Sequence, residues 1–462
     1  MTATVCQALL LLLLSIFSLG IYSSDGADKA KAVVGCMPDS CLDRRTVWAH
    51  MLEDVPPCLA AKRAWWSSQP ARHSVTLITQ LSADRLPALR AQCAAWSGPL
   101  AAAVYLPLHN PGNSGALQLS SVNTDRMLAV MNSIDTLLQE TDTAAAAATA
   151  TATAARAAVG DLQRPGGCQL RVLLVYEVHA QEKATTLYPV NSLRNFARLL
   201  ADTPLIANID VDMLPSASLS ATLLADVAGM AGDTAAGSTV PLNPGSAASI
   251  VAAQQQGSTV FVLPAFETAC GGPALADQIA RSGKAAVAEA MRQECLAPFR
   301  ARVAVACHNA TDFPRWLNMG QPGGEALEAY QVDYQTSFEP WFISSRSATA
   351  WFDVRYRGYG KNKIQQVAHM ASQGVRFRVH PTGFLVHRPH TESQARKIFL
   401  RVKFKSRRNA ALLEGSLFQH VEQMWLRHEQ EIQQGTFQVV VDNDLVACLR
   451  QLPWWRNMTT YS

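Results

Sequence analysis

Strand-like apolar runs alternate with helix-like stretches along much of this chain, and that alternation restricts it to an α/β fold with a mainly parallel sheet. Val75–Thr79 reads as a strand, Ala83–Trp96 as a helix, Ala101–Leu106 as a strand, and 117–140 has helical periodicity. Leu170–Tyr176 then reads as a strand, 189–200 as a helix, and Leu205–Ile209 as a strand that runs into Asp210. Thr259–Leu263 and Ala274–Cys295 continue the pattern as strand and helix. In open α/β sheets, ligands bind beyond the carboxyl ends of the strands. Asp210-Val211-Asp212 falls in that position.

Two carboxylates at i and i+2, just past a buried strand, can point into one crevice. Such hard oxygen ligands suit Mg²⁺ or Mn²⁺ bound to a diphosphate. The chain holds a second triplet of this kind, Asp442-Asn443-Asp444, after the apolar run Phe437–Val441. An Asp pair capping a turn is the plain structural reading of either triplet, so the surroundings decide between them.

The 462 residues are 48% hydrophobic, ample for a sizeable core. A formal charge of +4 is too mild to point to nucleic acid as a partner. Val5–Tyr22 holds eighteen residues without a charge, which read as a targeting segment, either a signal-anchor or a cleaved signal peptide. Both readings send the chain into the secretory pathway. Apart from Cys6, nine cysteines remain, so most should pair in an oxidising lumen with at least one left over. Asn309-Ala310-Thr311 and Asn457-Met458-Thr459 are glycosylation sequons that fit the same compartment. The organisation expected is a targeting segment at 1–23, a stem or disulfide-tied lead-in at 24–70, and one catalytic domain at 71–462. Within that domain, 141–160 is an Ala/Thr-rich insertion that reads as a disordered segment or a solvent-side helix.

Several blocks surround the first triplet in a distinctive order. Tyr188-Pro189-Val190-Asn191-Ser192-Leu193-Arg194-Asn195 opens the preceding helix, and Asn208–Pro215 carries the triplet. Leu263–Glu267, His308–Trp316, Phe338–Phe342, Phe352–Lys363 and Val386–His390 follow. In this order they resemble the LARGE-type glucuronyltransferases of glycosyltransferase family 49, which include the β-1,4-glucuronyltransferase of the dystroglycan pathway. The resemblance runs from about residue 75 to 400. It implies a GT-A fold, a divalent metal (Mn²⁺ or Mg²⁺), a UDP-sugar donor and an inverting transfer to a glycan or glycoprotein acceptor. Glucuronic acid is the leading donor sugar, and a Golgi membrane protein of single-pass type II, held by its N-terminal segment, is the implied setting.

The resemblance assigns Asp210, Asp212 and His387 to the metal, with His390 as an alternative to His387. Asn191 and Arg194 lie three apart on an opening helical turn, share a face, and become candidate donor contacts together with the two aspartates, against the plainer reading that Arg194 pairs with Asp210 or Asp212 as a structural bridge. Inverting transfer needs a carboxylate base, for which Glu339 and Asp353 are the candidates. Trp341, Trp351 and Tyr356 are candidate acceptor-stacking aromatics, against the plainer reading of core. The basic stretch from Arg396 to Arg408 reads as a solvated face or a contact for an acidic glycan. The rival to catalysis is an inactive, transferase-like luminal protein that binds glycans.

Overall fold

A computed structural model of the protein describes residues 25–43, 56–110, 119–155, 167–180, 182–230, 245–255, 258–393, 396–400 and 416–456. The targeting segment at 1–23 and the sequon at Asn457 lie outside the described residues. So does most of the basic stretch beyond residue 400. Among the described residues, no helix is long and apolar enough to cross a membrane.

Fourteen strands are described. In chain order they are β1 (Leu42–Asp43), β2 (Ala60–Trp66), β3 (Val75–Ser82), β4 (Pro99–His109) and β5 (Gln169–His179). Next come β6 (Leu205–Asn208), β7 (Met213–Pro215), β8 (Thr259–Leu263), β9 (Ala265–Thr268) and β10 (Leu296–Pro298). The last are β11 (Tyr330–Val332), β12 (Trp341–Ser345), β13 (Arg376–Val379) and β14 (Leu385–His387). The main sheet runs β1-β5-β4-β3-β6-β12-β8-β13-β11, with β2 added antiparallel to β5. β5, β4, β3 and β6 are mutually parallel, and β12 is the antiparallel strand between β6 and β8. A smaller sheet, β10-β9-β14-β7, stands beside it. The fold is the mixed α/β architecture, a large sheet flanked by helices, that a GT-A transferase requires.

Period-two alternation sorts the strand residues onto two faces. Leu77, Leu100, Ala102, Val104, Leu170 and Val172 pack into one core with Leu89 and Cys93 of the helix Leu86–Ala95. Ile78, Ala101, Ala103, Leu173 and Val175 face the other way, against Leu193, Phe196 and Ala197. Those three belong to the helix Val190–Leu199, which is buried along its whole length, polar residues included. Small alanines on β4 let that helix approach closely. Its buried amides find backbone partners: Asn195 Nδ2 donates to the Phe352 carbonyl at 2.8 Å, and the Phe352 N–H donates back to Asn195 Oδ1 at 3.0 Å. Satisfied in this way, the polar face of the helix fixes the 346–353 segment instead of costing stability.

Among the described residues, four disulfides, Cys36–Cys448, Cys41–Cys58, Cys93–Cys168 and Cys270–Cys295, leave Cys307 free. The lead-in at 24–70 is woven into the fold, since β1 and β2 both pair with β5 and Cys36 bonds to Cys448. The helix Ser121–Ala155 continues into the Ala/Thr stretch, with Thr141 and Ala145 buried, while 156–160 lie outside the described residues. Asp142 explains that anchorage, because it accepts from the Ser68 N–H at 3.0 Å. The single helix expected over Ala274–Cys295 is two, Gly272–Ala280 and Lys284–Arg292, divided at Gly283 where the backbone is extended.

Candidate active site

The chain leaves β6 at Asn208 and turns back at once into β7. The Met213 N–H donates to the Asp210 carbonyl at 2.9 Å, closing a tight turn. Gln92, fully buried, clamps it by donating Nε2 to the carbonyls of Asp210 (3.0 Å) and Met213 (2.9 Å). A turn breaks the two-residue period of an extended strand, so the Asp210 and Asp212 carboxylates diverge.

Asp210 faces cations. Arg194 Nη2 donates to Oδ1 at 2.9 Å, and Lys363 Nζ (3.2 Å) and Trp341 Nε1 (3.1 Å) donate to Oδ2. Burial works against ionisation of this carboxyl, but Lys363 and Arg194 outweigh it and hold its pKa well below the usual carboxylate range.

Asp212 faces imidazoles. His390 Nε2 is 2.6 Å from its Oδ2 and His387 Nε2 is 3.9 Å away. Candidate ligand atoms of Asp212, His387 and His390 all lie within 4.8 Å of one another. β14 brings the histidines there: it pairs antiparallel with β7, His387 opposite Met213, and the Arg388 N–H donates to the Asp212 carbonyl at 2.7 Å. Burial lowers the His387 pKa against the pull of Asp212, which favours the neutral ring a metal needs. His390 Nδ1 lies 2.6 Å from the Thr391 carbonyl. Both of its partners are pure acceptors. A ring that donates from Nδ1 to that carbonyl turns its Nε2 lone pair toward Asp212, which is how metal-bound histidines are oriented. Two imidazole nitrogens and one carboxylate suit Mn²⁺ better than Mg²⁺, which prefers oxygen alone.

The two candidate bases separate cleanly. Glu339 is partly exposed, lies 3.6 Å from Lys363 Nζ, and is held by its backbone N–H, which donates to the Cys307 carbonyl at 2.8 Å. Beside it, His308 and Trp341 stack with ring centroids 5.3 Å apart, and Phe299 packs edge-on against both. Asp353 is placed differently. It is fully buried and engaged by Arg355 at 2.6 and 2.9 Å, with the Val440 N–H at 3.2 Å. Asn191 is fully buried too, donates to the Asp353 carbonyl at 2.7 Å and accepts from Arg194 at 3.0 Å. It orients Arg194, whose guanidinium reaches Asp210. Trp351 and Tyr356 are core residues, the first stacked on Arg198 and the second bonded to His428. The second acidic triplet also serves the structure: Asp442 is buried at the start of the helix Asn443–Gln451, 3.5 Å from Ser192 Oγ.

Lys363 is the residue sequence reading passed over. It stands at the start of the helix Asn362–Ser372, is almost wholly buried, and lies 3.7 Å from the centroid of the Trp341 ring. Its only signal was its place in the run Gly358-Tyr359-Gly360-Lys361-Asn362-Lys363, at the end of the block 352–363. Asn309, by contrast, is exposed while His308, Ala310 and Thr311 around it are buried, so the acceptor side chain of the first sequon lies at the surface.

Residues 74–422 match the family described as "Glycosyl-transferase for dystroglycan". The chain belongs to this family, glycosyltransferase family 49. Among family relatives, the xylosyl- and glucuronyltransferase LARGE2 of Rattus norvegicus is 26% identical over 324 residues, 70% of this chain and 36% of that protein. The glycosyltransferase-like protein gnt14 of Dictyostelium discoideum is 25% identical over 70% of this chain and 38% of its own. LARGE1 of Danio rerio, also a xylosyl- and glucuronyltransferase, is 27% identical over 69% of this chain and 31% of its own length. The chain thus spans about a third of the curated family 49 relatives it matches.

Proposed function

We propose that this family 49 protein is a metal-dependent inverting glycosyltransferase that moves a sugar, glucuronic acid in the first instance, from a UDP-sugar to a glycan acceptor. The observation that carries the reading is the pairing of two half-sites at one sheet edge. Asp212, His387 and His390 form a cluster suited to a divalent cation, and the neighbouring Asp210–Arg194–Lys363 array leads to Glu339. When bound, the cation supplies positive charge that offsets the charge developing on a departing diphosphate. Arg194 and Lys363 keep Asp210 ionised and fixed. Glu339 is the base that takes the proton of the acceptor hydroxyl as its oxygen attacks the anomeric carbon and the bond to UDP breaks. Trp341, held by Asp210 and stacked on His308, gives the site a rigid floor.

The four disulfides favour an oxidising compartment, and a Golgi lumen with attachment through residues 1–23 is the corresponding setting. A single catalytic unit is proposed for the chain from residue 71 onward. The test is UDP release by the purified protein with Mn²⁺ across a panel of UDP-sugars. Release from one donor, abolished by chelation and by Asp212→Asn, supports the reading. UDP–Mn²⁺ binding without release for any donor, with glycan acceptors present, would favour a glycan-binding protein without turnover.

A further inference from the structure

The helix Leu417–Gln434 starts inside the matched family segment, runs past its end at residue 422, and builds a cleft with its far half. Trp425, Glu429 and Ile432 stand four and three residues apart, so they share one face. That face meets the helix Asn362–Ser372, with Ile364, Ala368, Trp425, Ile432 and Phe437 in one apolar cluster. Gly435 ends the first helix at φ of 69°, and the chain folds back until the Phe437 N–H donates to the Glu431 carbonyl at 3.2 Å. Small side chains at Ala368 and Ala371 leave a cleft of about 770 Å³ open between these elements, within the range of small-molecule sites. Neither the metal cluster nor Glu339 nor Lys363 lines it. The cleft still backs on the wall that carries Glu339, because Cys307 packs on the apolar cluster and its carbonyl accepts from the Glu339 N–H.

The lining decides what would fit. Tyr334, Trp425 and Phe437 offer aromatic surface, and the exposed amides of Gln373 and Gln433 offer donors and acceptors together. Burial, then the nearby Glu429 carboxylate, push the Tyr334 phenol up in pKa, so it keeps its proton to donate. Burial lowers the His369 pKa against the pull of Asp353, so that ring is neutral. Among the described residues that line the cleft, Glu429 alone carries a formal charge, which disfavours an anionic ligand. A cationic ligand is disfavoured too, because two of the rings already hold cations from outside the lining. The Lys361 ammonium lies 5.3 Å from the centre of the Trp425 ring, and the Arg355 guanidinium 5.9 Å from that of Phe437. A neutral ligand remains, with apolar faces to lie on rings and hydroxyls to bond amides and a carboxylate. Sugars combine these features.

We infer that this cleft is a second saccharide-binding site, which holds a neutral sugar unit of a glycan on Tyr334, Trp425 and Phe437 while Gln373, Gln433 and Glu429 bond its hydroxyls. The inference stands apart from the transferase reading, since none of these residues belongs to that centre. The two sites share the helix Asn362–Ser372, with Lys363 near one end and Ser372 at the other, about 13 Å apart along its axis. A glycan seated in the cleft is thereby kept close to the transferase centre.

The experiment follows binding to the full chain by saturation-transfer NMR and calorimetry. The probes are three neutral β-linked disaccharides, cellobiose, lactose and xylobiose, beside an acidic hyaluronan disaccharide. Gln433→Ala removes one amide and Ser372→Trp fills the cleft from an exposed position, each with a thermal melt to confirm folding. Asp212→Asn is the control for the transferase centre. At least one neutral disaccharide should bind, and the acidic one about tenfold or more weakly. Affinity for the neutral probe should fall about two- to tenfold in Gln433→Ala and tenfold or more in Ser372→Trp, and hold in Asp212→Asn. Absence of binding by all three neutral probes overturns the inference, as does binding kept in both folded cleft variants. Binding lost in Asp212→Asn would place the sugar in the transferase centre and overturn it as well. Equal affinity for the acidic probe overturns the selection for a neutral sugar.

Discussion

At the residue scale, the two aspartates of one motif do different work. Asp212 shares its carboxylate with two imidazoles, whereas Asp210 is bonded by Arg194, Lys363 and Trp341. Mn²⁺ affinity, measured by calorimetry, should therefore fall by roughly 10–100-fold or more in Asp212→Asn and His390→Gln. Asp210→Asn should bind Mn²⁺ within a few-fold of the wild type yet lose turnover, because Lys363 and Arg194 lose their anchor. Equal loss of affinity in both aspartate variants would return Asp210 to the metal. The motif was legible in sequence, and its division was not, because spacing of i and i+2 implies a shared face only while the backbone stays extended. The turn closed by Met213 removes that condition. Asp353 and Glu339 were indistinguishable in sequence for a similar reason, since burial is a tertiary property. Glu339→Gln should fold normally and lose turnover by about 10²–10⁴. Asp353→Asn should instead destabilise the fold by about 1–3 kcal/mol, by weakening the charged bonds from Arg355 and the bond from the Val440 N–H, and denaturant titration separates the two outcomes.

At the scale of elements, the strands were the most legible. Long apolar runs such as Thr259–Leu263 have one comfortable state, a strand buried on both faces. Helix limits were less so: nothing in the periodicity of 274–295 marks the extended residue Gly283 that divides it. The second acidic triplet shows how an element decides a residue's chemistry. Asp442 opens the helix Asn443–Gln451 and is pressed against the helix Val190–Leu199, so burial lifts its pKa to about 7 despite the bond from Ser192. Its unfolded value is about 3.9. A carboxyl raised on folding holds its proton longer in the native state, so stability is full below about pH 4 and declines as pH rises towards 7. The decline then levels off above the folded pKa. Asp442→Asn should flatten that window and raise stability at pH 8, by on the order of 4 kcal/mol at most. Denaturant midpoints at pH 5 and pH 8 would check it, and an equal effect at both pH values would refute the titration account.

At the scale of the whole molecule, the two ends of the described chain support one another. Cys36 and Cys448 join segments 412 residues apart, and both pack on the same face of the main sheet. Around that bond, Trp454 and Trp455 donate to the Leu199 carbonyl at 2.8 and 3.0 Å, at the end of the helix that carries Arg194. The terminal helix thus supports the active site from behind. Pairing was beyond sequence because nine cysteines admit many partners and only the folded sheet brings these two together. Removing the bond in Cys36→Ser with Cys448→Ser frees the unfolded chain, and native disulfides of this kind contribute about 2–5 kcal/mol. The other three bridges already shorten the loop that it closes, so the lower part of that range is expected here. Thermal melts should fall accordingly. Mn²⁺ affinity at low temperature should stay near the wild-type value, because the smaller sheet that presents Asp212, His387 and His390 contributes nothing to the apolar cluster packed around the bond. A variant that keeps its melting temperature but loses Mn²⁺ would mean that the terminal helix positions the metal cluster directly.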